Sequence, residues 1–294
     1  MEASKSRKYM FFLGCLIPYR VMSYEVSARK IARKIGIELV EMPEFYCCGL
    51  PVDQVSHELT ILLSAQSLCM AEKAGLPIMT LCPGCYGTLN KVNQMLQEDR
   101  SLREEVNDHL REFGLKFEGN TKVRHLIQVL AEDVGLEMLT DFISNPLDNV
   151  VVAEHYGCHV LRPTKFSKFD NPEDPKILKS LIELTGAKCV NYVDEKECCG
   201  FPVAGIDENI VLNLVRDKLS HVKEARAEAL ITICPSCFLA YDVNQSRIKR
   251  MTGEEYSIPV LHYTELLSLA MGIDPKDLLL NEHRVRVDKF LAKI

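Results

Sequence analysis

The sequence predicts an α/β protein made of two pseudo-repeated cysteine-rich halves, each built from parallel βαβ units. Three observations predict it. The segment Cys47-Cys48-Gly49-Leu50-Pro51-Val52 returns as Cys198-Cys199-Gly200-Phe201-Pro202-Val203, identical at five of six positions. Leu81-Cys82-Pro83-Gly84-Cys85-Tyr86 returns as Ile233-Cys234-Pro235-Ser236-Cys237-Phe238. Short apolar runs also alternate with helical periodicity in the same order around both copies, which is the pattern of a parallel sheet.

Each element follows from local chemistry. Residues 9–13 and 150–153 are short apolar runs that read as buried strands. Residues 24–35 have helical spacing and stop at Gly36. Residues 37–40 form a second strand, 54–73 a helix ended by Gly75, and 78–81 a third strand with Cys82 at its tip. A helix starts near Tyr86. The second half repeats the order, with a helix at 178–184, a strand at 190–193, a helix at 210–225 and a strand at 230–233. The helix-like runs 125–135 and 262–272 also resemble one another. Asn145-Pro146 breaks the chain between the copies, so the domains are expected at 1–147 and 148–294. These are Rossmann-like units, whose reactive groups gather beyond the C-terminal ends of the strands.

Spacing carries the repeat further. Thirty-one residues separate Cys15 from Cys47, and 39 separate Cys158 from Cys198. Between Cys48 and Cys82 there are 33, and between Cys199 and Cys234 there are 34. The eight extra residues fall in a polar, proline-bearing loop at 163–175. Ten of the 12 cysteines thus form two sets of five.

Composition narrows the class. Hydrophobic residues make up 47% and charged residues 26%, ordinary for a globular protein able to bury a core without disulfides. A net charge of −6 argues against a nucleic-acid surface. Lys5, Arg7 and Lys8 before the apolar run 9–17, with Phe12-Leu13-Gly14-Cys15, imitate a secretory leader. The run is short, Pro18 ends it, and a similar segment recurs in mid-chain, so a leader is rejected. No stretch reaches the roughly 18 apolar residues of a membrane helix. A cytoplasmic protein with reduced, clustered thiols is expected, and such thiols point to metal or redox chemistry.

Cys82-x-x-Cys85 and Cys234-x-x-Cys237 have the spacing of metal-binding pairs, which thioredoxin-like redox chemistry also uses. Adjacent cysteines are more telling. Neighbouring side chains of an extended chain point apart, so Cys47 and Cys48 reach one site only through a sharp bend. Gly49, and Gly200 in the other copy, permits that bend. Five thiolates exceed the four of a tetrahedral zinc site and the four of an ordinary cubane cluster. The count favours a polynuclear iron–sulfur centre over zinc or disulfides, which stay open as alternatives.

A cysteine, then Cys-Cys-Gly, then Cys-x-x-Cys, present twice, resembles the paired cysteine-rich CCG domains of the heterodisulfide reductase B subunit. The likeness runs from Phe11 to about Gly272, and residues 11–20 look like the archaeal opening of that protein. The resemblance implies two noncubane 4Fe-4S clusters. One would be held by Cys15, Cys47, Cys48, Cys82 and Cys85, the other by Cys158, Cys198, Cys199, Cys234 and Cys237. It implies an oxidoreductase that cleaves the coenzyme M–coenzyme B disulfide, and two one-electron centres match the two electrons a disulfide takes up. It implies two partners within heterodisulfide reductase, a small ferredoxin-like protein and a flavin-containing protein, since this chain lacks a ferredoxin cysteine run and a flavin fingerprint. Related chains serve sulfur-oxidising complexes and lactate or glycolate oxidation. A zinc scaffold without enzymatic activity is the alternative of another class.

Other residues have plain readings beside functional ones. Arg20, Arg162 and Lys165 are candidate contacts to the anionic substrate the family implies, against solvated surface positions. Lys168 shares the inserted loop. His159 is a candidate proton donor, or a partner of a sulfur or carbonyl. His125 and His262 recur before apolar runs and read as structural. Cys69 and Cys189 read as core packing. Residues 103–112 read as a solvated helix face, and 282–293 as a helix on the surface or against a partner.

Overall fold

A computed structural model describes residues 7–294; Lys5 of the basic leader-like segment lies outside the described residues. In the first half, strand β1 (Arg7–Phe12) leads through a helical turn to α1 (Met22–Lys34), then β2 (Ile37–Val40), α2 (His57–Ala74), β3 (Ile78–Thr80), α3 (Pro83–Glu98), α4 (Arg100–Leu110) and β4 (Val123–His125). The second half has β5 (Val151–His155), α5 (Ile177–Leu184), β6 (Lys188–Val190), α6 (Glu208–Glu224), β7 (Ala229–Thr232), α7 (Pro235–Thr252), β8 (Val260–His262) and α8 (Tyr263–Ala270).

The strands form two separate parallel sheets, ordered β2-β1-β3-β4 and β6-β5-β7-β8. Helices cover the sheet faces, so the central strands are apolar almost throughout: β3 and β7 are buried at every position. Burying each aliphatic side chain such as Ile78 or Leu230 contributes about 1.5–3 kcal/mol.

Local signals fix the helices. Ser56 caps α2 by accepting from Leu59 N–H, and Gly75 closes it with φ 66°. Asp207 caps α6 in the same way. Pro83 and Pro235 sit in the first turns of α3 and α7, where a missing N–H costs nothing. Both helices therefore start at the cysteine motif, α3 three residues before the start read from the sequence at Tyr86.

Other departures are small. Strands β4 and β8, three residues each, precede the helical runs expected at 125–135 and 262–272. The first of these runs includes a π-helical stretch, Val129–Gly135. The strand expected at 190–193 lies at Lys188–Val190, because only those residues pair with β5. The inserted residues 163–175 carry neither helix nor strand. The tail forms only the turn Asp288–Leu291, not a longer helix. It packs on its own second half, where Asp242 accepts from Arg284 and Val285 N–H and Phe290 is buried, and touches the first half at Ser23, 3.4 Å from His283 Nε2.

The halves clasp each other. From the first, α1 lies along α8, with Ser27 Oγ 2.7 Å from Thr264 Oγ1. From the second, the inserted loop lies on α3, where Asn90 and Gln94 both donate to Phe166 O at 2.8 Å.

Candidate metal centre

Strand order reverses between β1 and β3, and between β5 and β7, which opens a crevice at the strands' C-terminal ends. The cysteines gather there. Cys15 follows β1, Cys47 and Cys48 end the connection from β2, and Cys82 and Cys85 open α3. Cys158, Cys198, Cys199, Cys234 and Cys237 take the same places in the second half. Thr80 and Thr232 Oγ1 accept from the N–H of Cys82 and Cys234 at 3.2 and 3.0 Å, fixing the turn that starts each helix.

The bend between adjacent cysteines is as their glycines require. Gly49 has φ 93° and Gly200 φ 77°, a region that disfavours side chains. The N–H of each donates back to the first sulfur of its pair, Cys47 or Cys198, at 3.4 Å. Ser64 Oγ donates to Cys48 O at 2.7 Å and pins the first bend to α2.

All 12 cysteines are free. Cys15 and Cys47 Sγ lie 4.0 Å apart, and Cys199 and Cys237 Sγ 3.4 Å apart. The thiols compete for protons. Hydrogen bonding from Cys15 and then Cys48 pulls Cys47 down to about 2, with Gly49 N–H adding to the effect against burial. The bond with Cys47 pushes Cys48 up to about 12, against the opposing pull of Cys85. The second set repeats this, with Cys198 at about 2 and Cys199 at about 12. Cys82 falls well below the ordinary thiol value through Cys234 of the other half, then Cys85. The two sets therefore meet across the interface.

Tyr24 of α1 stands at that meeting point. Its hydroxyl lies 2.8 Å from Leu81 O and 2.9 Å from Ile233 O, the carbonyls just before Cys82 and Cys234. Its ring stacks on His262 at 3.9 Å. His125 Nδ1 accepts from Ile127 N–H, so Nε2 donates to Leu81 O at 2.9 Å. His125 and His262 are fully buried at the starts of helical segments, in structural positions.

The sequence profile of the cysteine-rich (CCG) domain matches residues 9–90 and 152–242. The chain belongs to the CCG cysteine-rich domain family. It is 35% identical over 292 residues to the B subunit of the ferredoxin/F420H2-dependent CoB-CoM heterodisulfide reductase of Methanosarcina acetivorans, covering 98% of this chain and 97% of that one. It is 30% identical over 284 residues to the 8-methylmenaquinol:fumarate reductase membrane anchor subunit of Wolinella succinogenes, covering 96% and 99%. A crystal structure of a hypothetical protein from Helicobacter pylori shares the fold, with a TM-score of 0.76 at 17% identity. That match covers 96% of this chain and 52% of the Helicobacter chain.

The donor set of each CCG domain fits a polynuclear iron–sulfur group. Five thiols converge in each half, and their mutual hydrogen bonds and charges hold one sulfur ionised while pushing its neighbours up. A multiply charged metal core bound there would remove that conflict, with the five cysteines as its thiolate ligands. Cys15 and Cys198 are exposed while Cys48, Cys85, Cys199, Cys234 and Cys237 are buried, so each set is open at one edge and walled behind.

The other sequence candidates scatter. Arg162 lines a cleft with Cys158, Cys198 and Lys196, and its guanidinium lies 3.6 Å from Glu173. Arg20 is exposed, five residues after Cys15. Lys165 turns to Glu98 at 3.6 Å, outside that cleft. His159 is half-buried, its backbone against Gly87 of the other half. Cys69 and Cys189 are buried apart from both sets. Sequence reasoning missed Tyr24 and His155. A ring nitrogen of His155 and the sulfurs of Cys199 and Cys237 all lie within 4.8 Å of one another. The available signal was that His155 holds the place of Phe12 in the aligned segments.

Proposed function

We propose that this chain is the catalytic subunit of a heterodisulfide reductase complex that reductively cleaves the coenzyme M–coenzyme B disulfide. Residues 1–147 and 148–294 would each hold one noncubane 4Fe-4S cluster, on Cys15, Cys47, Cys48, Cys82 and Cys85, and on Cys158, Cys198, Cys199, Cys234 and Cys237. The observation that carries this reading is the meeting of the two five-thiol sets at Cys82 and Cys234, in a chain related over nearly its whole length to a named heterodisulfide reductase component. Two such groups, when bound, would supply one electron each, the two that a disulfide needs to become two thiols.

The chain's own residues do the rest. Exposed Cys15 and Cys198 leave the edge of each set accessible. Arg162 in the second cleft and exposed Arg20, five residues after Cys15, would attract anionic groups, while the ion pair of Lys165 with Glu98 weakens its case. His159, in the same turn as Cys158, would be the proton donor to a leaving thiolate. Electrons reach the chain from a ferredoxin-like partner and a flavin-containing partner, in a cytoplasmic complex. Among the described residues no helix is long and apolar enough to cross a membrane.

The Wolinella relative favours one other reading, a component of a quinol-linked fumarate reductase. Anaerobic purification tests the metal: brown protein with about eight irons per chain is expected, and colourless protein with zinc refutes it. Assay of the iron-loaded complex with the coenzyme M–coenzyme B disulfide and reduced viologen tests the substrate. Turnover is expected; turnover of fumarate alone selects the other reading.

A further inference from the structure

The two halves are alike in backbone and unlike in what backs their cysteines. Phe12 pairs with Thr80, and His155 pairs with Thr232, so both end a central strand three residues before a first cysteine. Phe12 is fully buried and packs on Phe45 at 5.0 Å between ring centroids. His155 is 3% exposed, and among the described residues its Nδ1 has no hydrogen-bond partner. It lies within 4.8 Å of the sulfurs of Cys199 and Cys237. Edge-on to it at 5.0 Å is Tyr241, four residues after Cys237, where the first half has Leu89. Lys218, 1% exposed, stands eleven residues past the cap Asp207, where Ser67 stands eleven past Ser56.

A buried ring nitrogen without a partner costs about 1–3 kcal/mol, and a phenyl ring at the same place avoids that cost. The cost is removed if the imidazole faces the group that the five thiols hold. We infer that His155 is a sixth contact of the second centre, donating its N–H to the Cys199 or Cys237 sulfur, and that it makes this centre the more readily reduced of the two. This rests on the iron–sulfur reading above. The physical ground is charge. Reduction by a one-electron donor adds one negative charge to the centre and breaks no bond. An N–H aimed at a ligand sulfur stabilises that charge, and a buried ammonium acts in the same sense, partly offset by its neighbour Asp194. Among the described residues the first centre, backed by Phe12 and Leu89, has neither.

The test uses the iron-loaded protein, with iron content measured first and reduction then followed by electron paramagnetic resonance during a dithionite titration with mediator dyes. Two waves are expected for the natural chain. His155→Phe should keep its iron and lower the wave of the second centre, the one reduced first in the natural chain, by at least tenfold in the reduction constant, about 59 mV for one electron. His155→Gln, which keeps an N–H, should shift less than half as far. Phe12→His should raise the potential of the first centre's wave. Pulsed resonance on protein with ¹⁵N-labelled histidine should show a nitrogen coupling that His155→Phe removes. Iron falling by half in His155→Phe but not in His155→Gln also supports the contact. Unchanged waves at full iron content in His155→Phe overturn the inference while leaving the iron–sulfur reading intact. A natural chain that takes up no iron overturns both.

Discussion

Replacing Tyr24 by Phe removes one oxygen from the contact between the two cysteine sets. The residue is 1% exposed, and its hydroxyl is shared by Leu81 O and Ile233 O at 2.8 and 2.9 Å. The phenyl ring would keep its stack on His262, so the change isolates the hydroxyl. Leu81 O retains His125 Nε2 as a donor, whereas Ile233 O loses its side-chain donor. Losing one buried hydrogen bond and leaving one carbonyl short of a donor costs about 1–2 kcal/mol. Tyr24→Ala also opens a ring-sized cavity and should cost about 3–5 kcal/mol. Urea unfolding of the metal-free protein, followed by circular dichroism, measures both. Thermal melts should show a fall of about 2–4 °C per kcal/mol. If Tyr24→Phe matches the natural chain within about 0.3 kcal/mol while Tyr24→Ala loses several, the hydroxyl does not join the halves and the reasoning fails.

Three further outcomes are expected. Cys48→Ala and Cys199→Ala should each lose iron from one half and abolish disulfide turnover; normal turnover with full iron in either variant defeats the five-thiol assignment. Gly49→Ala places a Cβ 2.8 Å from Thr60 Cα at φ 93°, so it should destabilise by about 2 kcal/mol or more, whereas Gly36→Ala, with nothing within 4 Å, should cost about 1 kcal/mol. Equal costs in urea unfolding would show that the bend is not confined by α2. The third concerns pH. Burial alone would lower His283, but the charge and hydrogen bond of Glu265, with Asp242 behind, raise it above 6.5. Its contribution is therefore fully present below the unfolded value and is lost as pH rises through the folded one. Burial likewise works against Glu265, yet His283 and His262 hold it below 4.5, so its share is lost only in acid. The stability gap between the natural chain and His283→Gln should be full below about pH 6.5 and shrink as pH rises above it in paired melts. A gap independent of pH refutes the pairing.

What could be read from the sequence was local or repeated. The two Cys-Cys-Gly bends and the two Cys-x-x-Cys turns are short motifs, and their duplication was enough to sort ten thiols into two sets. The buried strands 9–13, 78–81 and 230–233 announced themselves as apolar runs between polar turns. Strands β4 and β8 were missed because three residues are too few to show a period, and each is followed at once by a stronger helical pattern. The early start of α3 and α7 was legible in Pro83 and Pro235, which suit a first helical turn. Tyr24 was not legible: its two acceptors lie 57 and 209 residues away, and no spacing rule reaches that far. His155 is an intermediate case, since its alignment with Phe12 was visible but its direction was not.

The clasp between α1 and α8, answered by the inserted loop lying on α3, means that the two copies are no longer interchangeable. Each has specialised to cover a surface that the other bares. A tandem of two first copies would offer two α1 helices and no inserted loop for α3; a tandem of two second copies would lack Tyr24 altogether. The ancestral symmetry survives in the sheets and the sulfurs. It has been lost in the seam, and neither portion is expected to be a self-sufficient folding unit. Expression of residues 1–147 alone as a cooperatively folding monomer would disprove that.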